Sequence, residues 1–296
     1  MGPGPNGRHD GHPERRDFFL TSHQSSTVPR MEISGKVVAV TGAASGIGRA
    51  MARRFHADGA AAVAVIDRDA AGVFALAQEL NASRPDSAVG IVSNVDRTEE
   101  VVGAIDAIEA RFGMIDLYCA NAGISLGTDL ETSDADWDLA FAVNVKAHYF
   151  AARRLVPGWV ARGDGYFLTT ASAAGLLSQI GSVPYSVTKH AAVAFAEWVS
   201  ITYGDRGVKV SCLCPQGVNT NMLNGDIASP GADAVRAGGA VLEPEEVAAA
   251  VIETLRSERF LVLPHPEVLT YWQRKAGDYD RWLAGMRKLQ ARVFGA

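Results

Sequence analysis

The chain has 296 residues, 48% hydrophobic and 21% charged, with a formal net charge of −5, which suits one sizeable core at the upper end for a single α/β domain. The acidic balance and the lack of a concentrated basic tract leave no electrostatic footprint for nucleic acid, and every apolar run is broken too early to cross a bilayer. A cytoplasmic protein with neither nucleic acid nor membrane as partner is the expectation.

Residues 1–30 are dominated by Gly, Pro, His, Arg and Ser, and only Phe18, Phe19 and Leu20 could enter a core. They are expected to form a disordered arm that the reaction can spare. Arg15-Arg16 superficially resembles a twin-arginine export signal, but Thr21 to Ser26 follow as polar residues where an apolar stretch is needed. Export is not expected.

From Lys36 onward, short apolar runs alternate with amphipathic segments. Strands are predicted at Val37–Val40, Ala62–Ile66, Val89–Val92, Ile115–Cys119, Tyr166–Thr169, Val208–Leu213 and Phe260–Leu263. Helical patterns fall at Ile47–Ala57, Arg97–Arg111, Trp137–Val160, Pro184–Tyr203 and Pro244–Arg256. This alternation predicts a doubly wound, mostly parallel α/β sheet over residues 31–264. Beyond Pro264, Tyr271, Trp272, Tyr279, Trp282, Leu283, Met286 and Leu289 recur at helical spacing, so 265–296 reads as one amphipathic C-terminal helical extension, more readily packed on its own domain or another subunit than serving as a lid. Cys119, Cys212 and Cys214 lie in apolar runs without metal spacing and read as inert core thiols. No metal site is expected.

Thr41-Gly42-Ala43-Ala44-Ser45-Gly46-Ile47-Gly48 follows the first strand and leads into a helix. Glycines there let the backbone turn tightly and approach a pyrophosphate, whose charge meets the amides of the helix N-terminus. Gly42, Ser45, Gly46 and Ile47 are therefore candidate cofactor contacts. Asp67 ends the second strand, where a carboxylate accepts hydrogen bonds from the adenosine ribose and repels a 2′-phosphate. Arg68 next to it would suit that phosphate, whereas Ser45 supplies no basic group; the balance favours NAD over NADP. Later strand ends carry Asn94-Val95, Asn121-Ala122-Gly123, Ser172 and Pro215, on the side where open parallel sheets bind ligands.

Tyr185 and Lys189 stand four positions apart on one predicted helix, with Ser172 thirteen residues before the tyrosine and Asn144 beside the apolar stripe of Trp137, Phe141 and Val145. With the glycine turn and Asn121-Ala122-Gly123, these residues resemble the short-chain dehydrogenase/reductases over about Lys36 to Pro264. The resemblance implies a Rossmann fold and hydride transfer between a nicotinamide and an alcohol or ketone. It also implies a tetrad in which Tyr185 is the acid/base, Ser172 orients the substrate oxygen, Lys189 holds the nicotinamide ribose and Asn144 positions a water. Asn94 and Val95 would face the adenine, and Val218 and Thr220 the nicotinamide.

Free tyrosine titrates near 10, but a unit charge at about 4 Å and an effective dielectric of about 20 contributes about 4 kcal/mol, or about three pKa units. Lys189 and an oxidised nicotinamide are thus expected to bring Tyr185 towards neutrality. Two positions depart from the family pattern: Asn94 replaces an aspartate, and Gln216 stands where glycine usually follows the proline. The related fold implies a homotetramer built on the two long helices, with Phe195 and Trp198 as surface candidates. Met222, Leu223 and Ile227 suggest an apolar alcohol as substrate. The alternatives are an NADP-dependent ketone reductase and a dinucleotide-binding sensor without turnover.

Overall fold

The computed structural model describes residues 1–2, 31–224 and 231–295, so nearly all of the expected N-terminal arm lies outside the described residues. Among the described residues, nine strands occur in chain order: β1 (Val37–Thr41), β2 (Ala62–Asp67), β3 (Ala88–Val92), β4 (Leu117–Ala120), β5 (Gly165–Thr170), β6 (Val208–Leu213), β7 (Gly217–Val218), β8 (Val241–Leu242) and β9 (Leu261–Val262). Seven form one sheet in the order β3-β2-β1-β4-β5-β6-β9, and every pairing in it is parallel. The unpredicted β7 and β8 pair separately, beside the site described below.

Alternation along the strands sorts side chains to two cores. Tyr118, Phe167 and Cys212 face the helices Thr98–Phe112, Ala147–Arg162 and Val183–Tyr203, where Ile105, Trp159 and Val193 are buried. Val38, Val40 and Leu168 face the helices Gly46–Ala57 and Pro244–Ser257 through Met51, Phe55 and Val251. Burial on both faces explains why the strand sequences are continuously apolar. The sheet order reverses between β1 and β4, and that switch point opens a crevice at the strand ends.

Two helices differ from expectation. The segment predicted as continuous over Trp137–Val160 is an α-helix Asp134–Phe141, a π-turn Ala142–Lys146 and an α-helix Ala147–Arg162, so Asn144 sits inside the wide turn. The apolar spacing is blind to this one-residue excess. The C-terminal extension is two helices, Glu267–Gly277 and Tyr279–Phe294, because Asp278 is extended and its carboxylate caps the second by accepting from the Arg281 amide at 3.0 Å. Both pack on the domain itself. Lys275 donates to the Leu176 carbonyl at 2.7 Å, and Phe294 lies so close to Gly181 that an added Cβ would be 2.7 Å from its ring.

Candidate active site

One cavity of about 650 Å³ runs along the strand ends from Gly42, Ser45, Gly46 and Ile47 past Asp67, Asn94 and Val95 to Ser172, Tyr185 and Lys189. The turn after β1 is shaped by close approach. A Cβ on Gly48 would stand 2.2 Å from the Gly42 carbonyl oxygen, and one on Gly46 would meet Thr220 at 3.0 Å. Gly42 and Gly46 also hold φ values of 64° and 50°, a region that disfavours side chains. The loop leads into the helix Gly46–Ala57, whose first residues Gly46 and Ile47 line the cavity. This glycine cradle is what a dinucleotide pyrophosphate needs.

Asp67 has its carboxylate braced: Oδ2 accepts from the Ala44 amide at 3.0 Å and Oδ1 from the Asp69 amide at 3.1 Å. The second of these is a local turn that fixes the carboxylate at the cavity edge, and each oxygen retains acceptor capacity. Arg68 lines the same cavity. Asn121 is spent internally, donating from Nδ2 to the Thr41 carbonyl at 3.0 Å and accepting from Thr170 at 3.1 Å, so it ties β1, β4 and β5 together at the crevice floor. Thr41, which the sequence reading passed over, shares this duty: its hydroxyl accepts from the amides of Asn121 and Ala122 at 2.9 and 3.1 Å. Gly123 is held small by Lys189 and Asn144, whose polar atoms would lie 3.2 and 3.3 Å from a Cβ there. Val218 and Thr220 line the opposite wall, in and just after the short strand β7.

The four tetrad residues converge from three elements. Ser172 follows β5, its hydroxyl donating to the Pro215 carbonyl at 3.4 Å and accepting from the Ala174 amide at 3.1 Å. The same hydroxyl stands beside the Tyr185 phenol. Burial raises the Tyr185 phenol, partly countered by the neighbouring Ser172 hydroxyl. The expected lowering by Lys189 is not seen in the protein alone, where the ammonium lies 5.6 Å from the tyrosine ring centroid and donates to the Thr170 carbonyl at 3.0 Å. Burial lowers Lys189 itself to about 8. Asn144 is fully buried: Oδ1 accepts from the Ile124 amide at 2.9 Å, and Nδ2 donates to the Ile124 carbonyl at 2.9 Å and to Thr188 Oγ1 at 3.0 Å. Its side chain ties two helices and a loop together, with both amide hydrogens given and one lone pair left on Oδ1.

A family model described as short chain dehydrogenase matches residues 36–229. The chain belongs to that family. Among curated relatives, the D-threitol dehydrogenase of Mycolicibacterium smegmatis is 32% identical over 224 residues, covering 74% of this chain and 85% of the relative. The meso-2,3-butanediol dehydrogenase of Serratia marcescens is 33% identical over 223 residues, covering 74% and 86%. Among solved structures, a short chain dehydrogenase/reductase of Burkholderia phymatum in complex with NAD superposes with a TM-score of 0.76 at 28% identity, covering 84% of this chain and 96% of that one. This short-chain dehydrogenase is thus an oxidoreductase that transfers hydride between a nicotinamide dinucleotide and an alcohol or ketone.

Around Gln216, where the short-chain dehydrogenase departs from the family pattern, the loop is held through its backbone. The Gln216 amide donates to His265 Nδ1 at 3.1 Å, and His265 Nε2 bonds the Gly217 carbonyl at 3.1 Å. His265 is buried and bridges both peptide groups, so the first residues beyond β9 pin the loop that carries Val218 and Thr220. Sequence spacing offered no signal for this partner, which lies 49 residues away.

Proposed function

We propose that this enzyme is an NAD-dependent dehydrogenase of a secondary alcohol, or the corresponding ketone reductase in reverse, with Tyr185 as the general acid/base. The observation that carries the reading is the single cavity joining the glycine cradle to Ser172, Tyr185 and Lys189. The braced Asp67 carboxylate supports NAD, because a 2′-phosphate there would meet a negative charge. Arg68 on the same wall favours the second reading, an NADP-dependent reductase.

When bound, the nicotinamide supplies the hydride acceptor and a positive charge. Gly42, Ser45, Gly46 and Ile47 hold the pyrophosphate end, Asn94 and Val95 the adenine side, and Asn121 and Gly123 shape the floor. Val218 and Thr220 hold the carboxamide end, and Lys189 the ribose. Ser172 turns from Pro215 to the substrate oxygen, and Tyr185 takes the hydroxyl proton at its phenolic oxygen. Burial by itself keeps that proton on Tyr185, so the cofactor charge completes the base.

Leu126, Val143, Met222, Leu223 and Val235 line the substrate side with Gln179 and Gln216, which supports a largely apolar alcohol. The diol dehydrogenases among the relatives favour a substrate with a second hydroxyl. A cytoplasmic homotetramer fits the exposed Tyr149, Trp198 and Ile201 on the two long helices. Sedimentation showing only a 31 kDa species at micromolar concentration would refute that assembly.

The test of the reading is single-turnover hydride transfer in Tyr185→Phe beside the parent enzyme. A loss of about 10² to 10⁴ in rate with cofactor affinity retained is expected. Equal rates would remove Tyr185 from the chemistry.

A further inference from the structure

The substrate end of the cavity is neutral. Among the described residues that line the cavity, the charged ones are Asp67, Arg68 and Asp69 at the cofactor end and Lys189 in the tetrad. A carboxylate or phosphate on the substrate would find no counter-charge there, and such a group taken out of water unpaired is costly. Beyond the tetrad and the strip that carries Val218, Thr220 and Asn221, the polar side chains of this wall are Ser125, Gln179 and Gln216. These three are left to read any polar group that the substrate carries away from its reacting carbon.

Gln179 is the one whose hydrogen-bonding character is fixed. Its backbone is fastened to the residue after Tyr185: the Gln179 amide donates to Ser186 Oγ at 2.6 Å, and that hydroxyl donates to the Gln179 carbonyl at 2.8 Å. Its side-chain Nε2 donates to the Ile180 carbonyl at 3.0 Å and to the Gly231 carbonyl at 3.3 Å. Both hydrogens are therefore given, and turning the amide over would set its oxygen against two carbonyl oxygens. Oε1 has no hydrogen-bond partner among the described residues and is not sealed from solvent. Gln179 thus offers the cavity an acceptor and no donor. Ser125 turns its hydroxyl either way and so does not discriminate. Gln216 lies against Gly238 and Gly239, where added Cβ atoms would stand 2.8 and 3.3 Å from its Nε2, and its Oε1 is buried out of a substrate's reach.

We propose that Gln179 is a specificity-determining residue and that the substrate is a neutral diol, whose reacting hydroxyl faces Ser172 and Tyr185 while its second hydroxyl donates to Gln179 Oε1. The proposal rests on the proposed role of Tyr185. Oxidation takes a hydride and a proton from one carbinol only; the second hydroxyl is unchanged, and the product is a neutral hydroxyketone. An ether, ester, ketone or carboxylate at the second position presents lone pairs to a lone pair, and a mono-alcohol leaves Oε1 without a donor. Selection works through the direction of one hydrogen bond, which the carbonyls of Ile180 and Gly231 impose by holding the amide nitrogen.

The test measures kcat/KM of the holoenzyme for cyclohexanol, its vicinal diol, the diol with one carbon between the carbinols, and the monomethyl ether of each diol. The ethers keep the second oxygen and lose its proton. In the parent, at least one diol should exceed both its ether and cyclohexanol by about fivefold or more, because a bound mono-alcohol or ether seals Oε1 off unpaired. In Gln179→Met, which has nearly the length of glutamine without its polar tip, these ratios should fall to near one with cofactor affinity unchanged. A residue that only holds the wall together would lower diol and cyclohexanol in proportion and leave the ratios intact, and that result would overturn the proposal. Gln179→Glu gives up the donors and keeps an acceptor, so the diol preference should survive in it. Its loss there would mean that the tie to Gly231 carries the effect, and would also overturn the proposal. A parent that oxidises no diol, or treats each diol like its ether, does so even if neither variant folds. Equal single-turnover rates in Tyr185→Phe would instead remove the reading beneath it, so the two failures are distinguishable.

Discussion

The two ends of the cavity are built by different means. At the cofactor end, the turn after β1 is shaped by backbone: Gly48 leaves no room for a Cβ beside the Gly42 carbonyl, and Asp67 is held by two amides. At the substrate end, distant side chains assemble the wall. His265 pins the Gln216 loop, Lys275 anchors the helix Ala174–Leu177, and Phe294 seats against Gly181. Backbone geometry written into a short contiguous motif tolerates little change, whereas a wall made of remote contacts can be re-specified piece by piece.

The sharpest break of this contrast is at Gly48. Gly48→Ala forces the turn open, and overpacking of this kind costs about 1–3 kcal/mol or more; cofactor affinity measured by fluorescence titration should fall at least about fivefold. A parent-like affinity would show that the cradle is not rigid. Asp67→Ala comes next. Losing hydrogen bonds to a charged group costs about 2 kcal/mol, roughly thirtyfold in KM for NAD, while KM for NADP should fall or hold. A parent enzyme that already prefers NADP would reverse the assignment.

At the other end, Lys275→Met leaves the Leu176 carbonyl buried and unpaired at about 1–3 kcal/mol. The urea midpoint should drop and the alcohol KM should rise, with cofactor affinity unchanged. Loss of both affinities together would mean that the two ends are one mechanical unit.

The effect that is smallest near neutral pH is acid lability. A neutral buried His148 titrates near 3 when folded and near 6.5 when unfolded, so its contribution is present above about pH 6.5 and is lost as pH falls through that window. Unfolding free energy of the parent should fall faster than that of His148→Gln below pH 6.5, by a slope difference approaching about 1.4 kcal/mol per pH unit. Parallel slopes would show that His148 is hydrated freely.

The same asymmetry governs what could be read from residues alone. The glycine turn, Asp67 and the Ser172, Tyr185 and Lys189 spacing were visible because each sits at a strand end or within one helical turn, where local geometry decides position. The seven main strands emerged within about two residues at most ends, since burial on both faces leaves an unbroken apolar signature. Residues whose partners are remote were silent: Thr41, His265 and Lys275 look like ordinary polar residues until the fold closes. Asn144 was found, but its partners Ile124 and Thr188 were not, because they lie 20 and 44 residues away. The helix Ala70–Ser83 and the short strands β7 and β8 were also missed, the first for want of a clear apolar stripe and the latter because two residues carry no period.

The π-turn at Ala142–Lys146 gives length itself a meaning in this helix. It stores one residue more than an α-helical ladder would hold. Deleting a single residue there would let an unbroken α-helical ladder close while the segment after it keeps its phase, so Trp159, whose indole donates to the Ile115 carbonyl at 2.7 Å, would stay in its slot. The loss would fall on the turn itself, where Asn144 would be drawn away from Ile124 and Thr188. A deletion elsewhere in the segment removes a residue that the ladder needs and rotates the whole rod after it by about 100° about the axis; at this point the excess absorbs it.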